Sequence, residues 1–273
     1  MIKRYLRPLL SGCMLGLMLT FPQQAADAAA QALRVFAANV LPALLPFTAC
    51  MLLFTAGRTF SLPPLLLLAW AGGSPAGARL FQDVPLSPHL ARRIAAMTGV
   101  MSPMFFLSTL SVWLQSPAQG RRLLFCHLCA ALLCGPFFRS KKKTPPAKVS
   151  LPPLSVSHSL AQACSAMLTV GACIVLGAVS AQMIHCLFPA FPKLPLALLQ
   201  CLTEVTSGCQ TLTQLSLPPK FLLPTLCAAC SFGGLSILLQ NAVFWGKHGI
   251  SLSVLIFYGI LRGIIAFTLC FAL

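Results

Sequence analysis

The sequence predicts an all-α polytopic membrane protein, an inverted repeat of three spans plus one re-entrant hairpin each, preceded by an N-terminal span and an amphipathic helix. Three observations predict it. The 273-residue chain is 58% hydrophobic and only 8% charged, with a mean hydropathy of +0.87, whereas soluble domains carry about 25% charged residues. Several apolar runs reach the roughly 20 residues that a bilayer span needs. Two of those runs are interrupted by helix-weakening residues, at matching places in the two halves of the chain.

Each element follows from local signals. Residues 1–38 begin with a basic stretch, a short apolar core and small residues, the plan of a signal peptide. They read better as an uncleaved span, because an Ala-rich helix follows with Asp27, Arg34 and Asn39 on its polar side, suited to the membrane interface. Residues 39–138 form the first repeat. It runs from the apolar LPALLPFTACMLLFTAG through a re-entrant hairpin over 62–83, broken at GGSPAGARLF, to MTGVMSPMFFLSTLS and a plain helix at 121–138. Residues 139–157, with RSKKK and Pro145, Pro146, Pro152 and Pro153, form a semi-extended basic linker on the cytoplasmic side. Residues 158–273 repeat the plan: a long helix, a hairpin over 194–216 broken at EVTSGCQTLTQL, then CAACSFGGLSILLQ and a last span.

The charge balance agrees with this topology. Lys and Arg number 19 against three acidic residues, a formal charge of +16. The basic residues lie in short gaps between apolar runs, as loops held in the cytoplasm do, so no nucleic-acid partner is expected and the cytoplasmic loops suit anionic lipid. With the N-terminus cytoplasmic and both broken segments re-entrant, Lys3, Arg4, Arg7, Arg92, Arg93 and the 139–143 run fall inside. Arg34, Arg121, Arg122, Lys193 and Lys220 fall outside, and Arg262 lies within the last span. Three spans per repeat invert the second copy, a plan characteristic of secondary transporters. The sequence leaves oligomerisation open.

Enzyme and metal readings fare badly. Cys126/Cys129 and Cys227/Cys230 have CxxC spacing but sit inside apolar runs. No His or second pair completes a zinc set, so helix packing explains them and no cofactor is expected. HExxH, Gly-x-Ser-x-Gly and paired intramembrane acids are absent. His89, His158 and His248 read as loop or interface residues, His127 and His185 as span ends.

The candidate site lies at the interruptions. A broken helix strands N–H and C=O groups that hydrocarbon cannot satisfy, so it belongs where protein buries it or a wet cavity meets it. In the first hairpin Gly72, Gly73 and Gly77 permit unusual backbone angles and Ser74 offers a hydroxyl. In the second, Glu204, Thr206, Ser207 and Gly208 do the same, and Glu204 is the only acidic residue of its half. An intramembrane carboxyl is costly enough to suggest function: it would hold a proton or cation, or meet a substrate donor. The structural alternative pairs it with the hairpin backbone or with Arg262. Ser231, Ser236 and Gln240 lie on one later span, the last two four apart and so on one face. Free N–H groups at opposed hairpin tips would favour a small anion.

Taken in order, VLPALLPFTACMLLF, GGSPAGARLF, SPMFFLSTLS, LTEVTSGCQTL and SFGGLSILLQ resemble the YlbJ-type sporulation integral membrane proteins of the nucleoside-recognition (Gate) group, from about residue 20 to the C-terminus. The resemblance implies a fold like that of concentrative nucleoside transporters. It also implies a role in moving dipicolinic acid across the outer forespore membrane by alternating access. Ser74 departs from the pattern, standing where an aromatic residue is expected, which bears on the substrate. The alternatives are a nucleoside or another small anion as cargo, or a non-transporting scaffold of the spore envelope.

Overall fold

A computed structural model describes residues 2–137 and 148–273. The first half holds α1 (Ile2–Thr20), α2 (Pro22–Val35), a π-helical turn (Phe36–Val40), α3 (Leu41–Thr55), β1 (Thr59–Ser61), α4 (Leu62–Gly72), α5 (Ala76–Phe81) and α6 (Pro88–Thr98). A second π-helical turn (Phe105–Leu110), α7 (Ser111–Trp113) and α8 (Pro117–Phe137) complete it. After β2 (Lys148–Ser150), the second half holds α9 (Val156–Leu187), α10 (Lys193–Thr203), α11 (Val205–Gln214), α12 (Pro219–Phe232), α13 (Gly234–Trp245) and α14 (Leu252–Ala272).

Among the described residues, three helical stretches are long and apolar enough to cross a membrane: Val156–Leu187, Pro219–His248 and Leu252–Ala272. Pro22–Val40 with Leu44–Thr55 passes the same test as a pair bent by 51°. The large apolar side chains left outward, such as Leu168, Leu176, Phe257 and Ile264, suit lipid rather than water.

Two expectations need correction. The segment holding MTGVMSPMFFLSTLS, read from the sequence as one apolar run over 94–114, is not one helix. α6 stops at Thr98, residues 99–102 are irregular, and helix resumes only at Pro103, whose missing N–H and fixed φ suit the first helical turn. Nor is the chain purely helical. β1 and β2 form a two-stranded antiparallel ribbon, Thr59 opposite Ser150 and Ser61 opposite Lys148. Gly57 N–H donates to Pro152 O at 3.0 Å and Leu151 N–H to Arg58 O at 3.0 Å. The expected semi-extended linker is fastened along 148–152 to the segment before α4; Pro152 and Pro153 keep it extended, so its backbone groups must find partners across the gap. Arg139, Lys141–Lys143, Pro145 and Pro146 lie outside the described residues.

Helix starts follow ordinary capping chemistry. Ser155 Oγ accepts from His158 N–H at 3.2 Å to open the 32-residue α9, and α4 and α6 start with proline in the first turn. α4 folds back on α5, and α10 on α11, as two helical hairpins. A β-carbon on Gly77 would lie 2.7 Å from Ala69 O, so only glycine allows the first closure. α2 lays Ala25 and Ala32 along α9 beside Met183 and Met167. α6, α8, α12 and α14 pack around one another. Gly259 and Gly263, four apart on α14, face the carbonyls of Phe232 and Ala228, so the two backbones meet closely.

Candidate functional site

Four interruptions converge: the turns of both hairpins, at 73–75 and at Glu204, and the breaks at 99–102 and at Gly233–Gly234. Backbone groups freed at the first break find specific partners. Arg262 Nη1 donates to Ala96 O at 2.9 Å, Trp70 Nε1 to Met97 O at 2.8 Å, and Ser74 N–H to Val100 O at 2.6 Å. Met101 N–H donates to His127 Nε2 at 3.1 Å. That bond leaves Nδ1 of the neutral ring to carry the proton, which it donates to Ser231 Oγ at 2.7 Å.

The second break is made by two glycines with positive φ, +91° at Gly233 and +68° at Gly234, a run that residues with side chains rarely adopt. A β-carbon on Gly234 would lie 3.0 Å from Cys201 O and 3.1 Å from Val205 N. In the same way a β-carbon on Gly73 would overlap Ser102, with Gly73 at φ +66°. Each hairpin turn therefore sits directly on the break of its own half.

His127 and Arg262 bind the two breaks to each other. Arg262 Nε also donates to Ser231 O at 3.2 Å, so one guanidinium holds the C-terminal carbonyls of both α6 and α12. Helix C-termini carry partial negative charge, which stands in for the acidic partner that a buried cation needs; Arg262 is 2% exposed. Gly99 leaves its space, since a β-carbon there would come 2.5 Å from the guanidinium.

Glu204 is 1% exposed and caps α11: Oε1 accepts from Thr206 N–H at 3.0 Å and Oε2 from Ser207 N–H at 2.6 Å. It pairs with the hairpin backbone, and Arg262 is engaged elsewhere. Each oxygen keeps a second lone pair. Gly177 on α9 receives its side chain; a β-carbon there would lie 2.8 Å from Glu204 Cβ.

A cavity of about 70 Å³ is lined from three of the interruptions and from α13 just past the fourth. Ser74 comes from the first hairpin, Met101 and Ser102 from the first break, Glu204 and Thr206 from the second hairpin, and Ser236, Ile237 and Gln240 from α13 just past the second break. Asn39, Ser108 and Thr109 add polar groups, and Phe105, Val170 and Ile174 apolar ones. Ser236 Oγ is buried with no partner among the described residues.

Of the sequence candidates, Ser74, Glu204, Thr206, Ser236 and Gln240 line this cavity together. Gly72, Gly73, Gly77 and Gly208 shape the hairpins behind it; a β-carbon on Gly208 would overlap Cys201. Ser207 faces a different cavity, and Ser231 is sealed beneath the breaks on His127. Asn241, one residue past Gln240, donates from Nδ2 to Ser74 Oγ at 3.1 Å, joining α13 to the first hairpin.

His127 corrects an expectation: it is no span end but the middle of α8, fully buried. Its signal was faint, one His in an apolar run whose helix begins four residues before the run does. Arg79, at the exit of α5, lies 3.8 Å from Asp83, which Lys247 meets at 2.7 Å. Cys126, Cys227 and Cys230 pack inside an apolar cluster with Leu123, Leu226 and Ala130. Comparison with protein-family models, curated proteins and solved structures finds no match for this chain.

Proposed function

We propose that this protein is a small-molecule transporter that works by alternating access around its two hairpins. One observation carries the reading: both hairpin turns, the 99–102 break and the start of α13 line a single, mainly apolar cavity that holds a few polar groups. Irregular backbone at membrane depth is tolerated where it borders such a cavity, and transporters build their sites there. In this reading the chain is two inverted repeats of three spans and a re-entrant hairpin, with its N-terminus in the cytoplasm of a bacterial cell.

The lining bears on the cargo. No Lys, Arg or His is among its residues, and its one ionisable group is Glu204. The N-terminus of α11, which would otherwise attract an anion, is filled by that carboxylate. A dianion such as dipicolinate would thus meet a like charge without a counter-charge, a costly arrangement away from water. An uncharged solute fares better if it has a flat apolar face for Phe105 and Ile174, and donors and acceptors for Glu204, Gln240, Ser74 and Ser236. Nucleosides have that chemistry, and the resemblance to the nucleoside-recognition group points the same way.

Uptake of labelled uridine and of labelled dipicolinate into proteoliposomes tests this. Saturable uridine uptake that falls at least tenfold in Glu204→Gln is expected, with little dipicolinate uptake. Dipicolinate uptake alone would restore the anionic cargo and the sporulation role. Uptake of neither, or equal uptake by wild type and variant, would remove the transporter reading.

A further inference from the structure

A second cavity, of about 220 Å³, lies beside α11. It is lined by Gln31 of α2, Gln182 of α9, Gln200 of α10, and Ser207, Gln210 and Gln214 of α11, the last three on one helical face. Lysine, arginine and acidic residues are absent from its lining. Gln31 and Gln214 stand at the exposed rim, while Gln182, Gln200 and Gln210 are half-buried and are expensive there unless water or a ligand meets them; Gln200 Oε1 is buried with no partner among the described residues.

The two cavities are stacked along α9. Val170 and Ile174 line the central one and Ala178, Ala181 and Gln182 the other, so four residues, about 6 Å of helix, separate them. Between them sits Gly177, against which Glu204 packs. The turn of the second hairpin is therefore the partition: Thr206 faces the central cavity, Ser207 faces the amide-lined one, and Glu204 holds both backbone N–H groups.

We propose that the amide-lined cavity is a second binding station for the same uncharged, hydrogen-bonding solute, opened to the central cavity when the Glu204–Ser207 turn moves. The proposal rests on the transporter reading above. Primary amides offer a donor and an acceptor without charge, which matches the absence of counter-charge in the central lining. One station on each side of a movable partition gives the solute a place to lose its water before the turn swings.

Uridine uptake in oriented proteoliposomes, measured from each membrane face, tests it. The double variant Gln210→Leu/Gln214→Leu removes one half-buried and one exposed amide. Half-saturation should rise about five- to tenfold from one face, the equivalent of one lost hydrogen bond, and less than twofold from the other. Ser236→Ala, in the central cavity, should shift both faces alike. If the double variant does not survive gel filtration, Gln210→Asn is measured in its place with the same expectation. Uridine uptake that responds equally from both faces, or not at all, overturns the second station and leaves the transporter standing. No uridine uptake by the wild type overturns both.

Discussion

His127 and Arg262 occupy the same place in two helices. Each is the eleventh residue of a 21-residue helix that ends its half of the chain, and each reaches both the 96–101 segment and Ser231. One supplies a neutral ring with a donor and an acceptor, the other a cation with several donors. Together they hold the ends of α6 and α12 in register, and the hairpin turns rest on those ends.

Replacing Arg262 by Met should therefore loosen both breaks at once. Two buried carbonyls lose their donors, at about 1–3 kcal/mol each. A large fall in melting temperature of the detergent-purified protein is expected, with Arg262→Lys intermediate because one ammonium lacks the fork that spans both carbonyls. Gly99→Ala, which intrudes on the guanidinium, should reproduce part of the loss without touching the charge. An unchanged melting temperature in Arg262→Met would show that the two carbonyls find other donors.

His127→Gln and His127→Ala separate hydrogen bonding from bulk. Glutamine offers one acceptor for Met101 N–H and one donor for Ser231 Oγ, so it should keep most of the stability. Alanine leaves both unsatisfied and opens a void under Phe106, whose ring lies 4.7 Å from the imidazole; a cost of about 2–4 kcal/mol follows. Equal melting temperatures for the two variants would remove the bridge.

Ser236→Ala gives the cleanest division between structure and function. Its hydroxyl is buried, faces the central cavity and has no partner among the described residues, so removing it should leave stability unchanged or raise it slightly. Uptake should still fall severalfold, because the hydroxyl waits for the solute. A variant with wild-type uptake would take Ser236 out of the site.

Gly177→Ala should disturb Glu204 without changing any polar group. The added methyl meets Glu204 Cβ and Cγ, so the carboxylate must leave its two N–H donors or tilt the α11 turn. Uptake should fall toward the level of Glu204→Gln while expression stays normal. The N-cap bonds lost in either variant contribute about 1 kcal/mol, readable as a small drop in melting temperature.

Much of this was legible in the residues themselves. Gly73 announces a break because backbone conformations with positive φ are local properties that glycine alone tolerates well; Ser231, Ser236 and Gln240, expected on one span, fall instead on α12 and α13 either side of the Gly233–Gly234 break. The apolar runs announce helices for lipid, because hydropathy over some 20 residues is set by composition. Glu204 stood out as a lone acid, and Ser236 and Gln240 as neighbours on one helical face.

Other features were hidden because they depend on approach across the fold. Nothing near His127 or Arg262 in sequence names Ser231, 104 and 31 residues away. Ser207 and Thr206 are adjacent, yet 100° of helical rotation sends them to different cavities. The expectation of a small anion rested on free N–H groups at hairpin tips; those of Thr206 and Ser207 are taken by Glu204. By itself the sequence determined the main helices, the two hairpin interruptions and the solvent they suit, since each is a short-range consequence of side-chain type; the breaks at 99–102 and 233–234 came only with the fold. Tertiary structure alone decided which breaks meet, which side chains close them and what charge the cavity presents, since these arise only where distant segments pack.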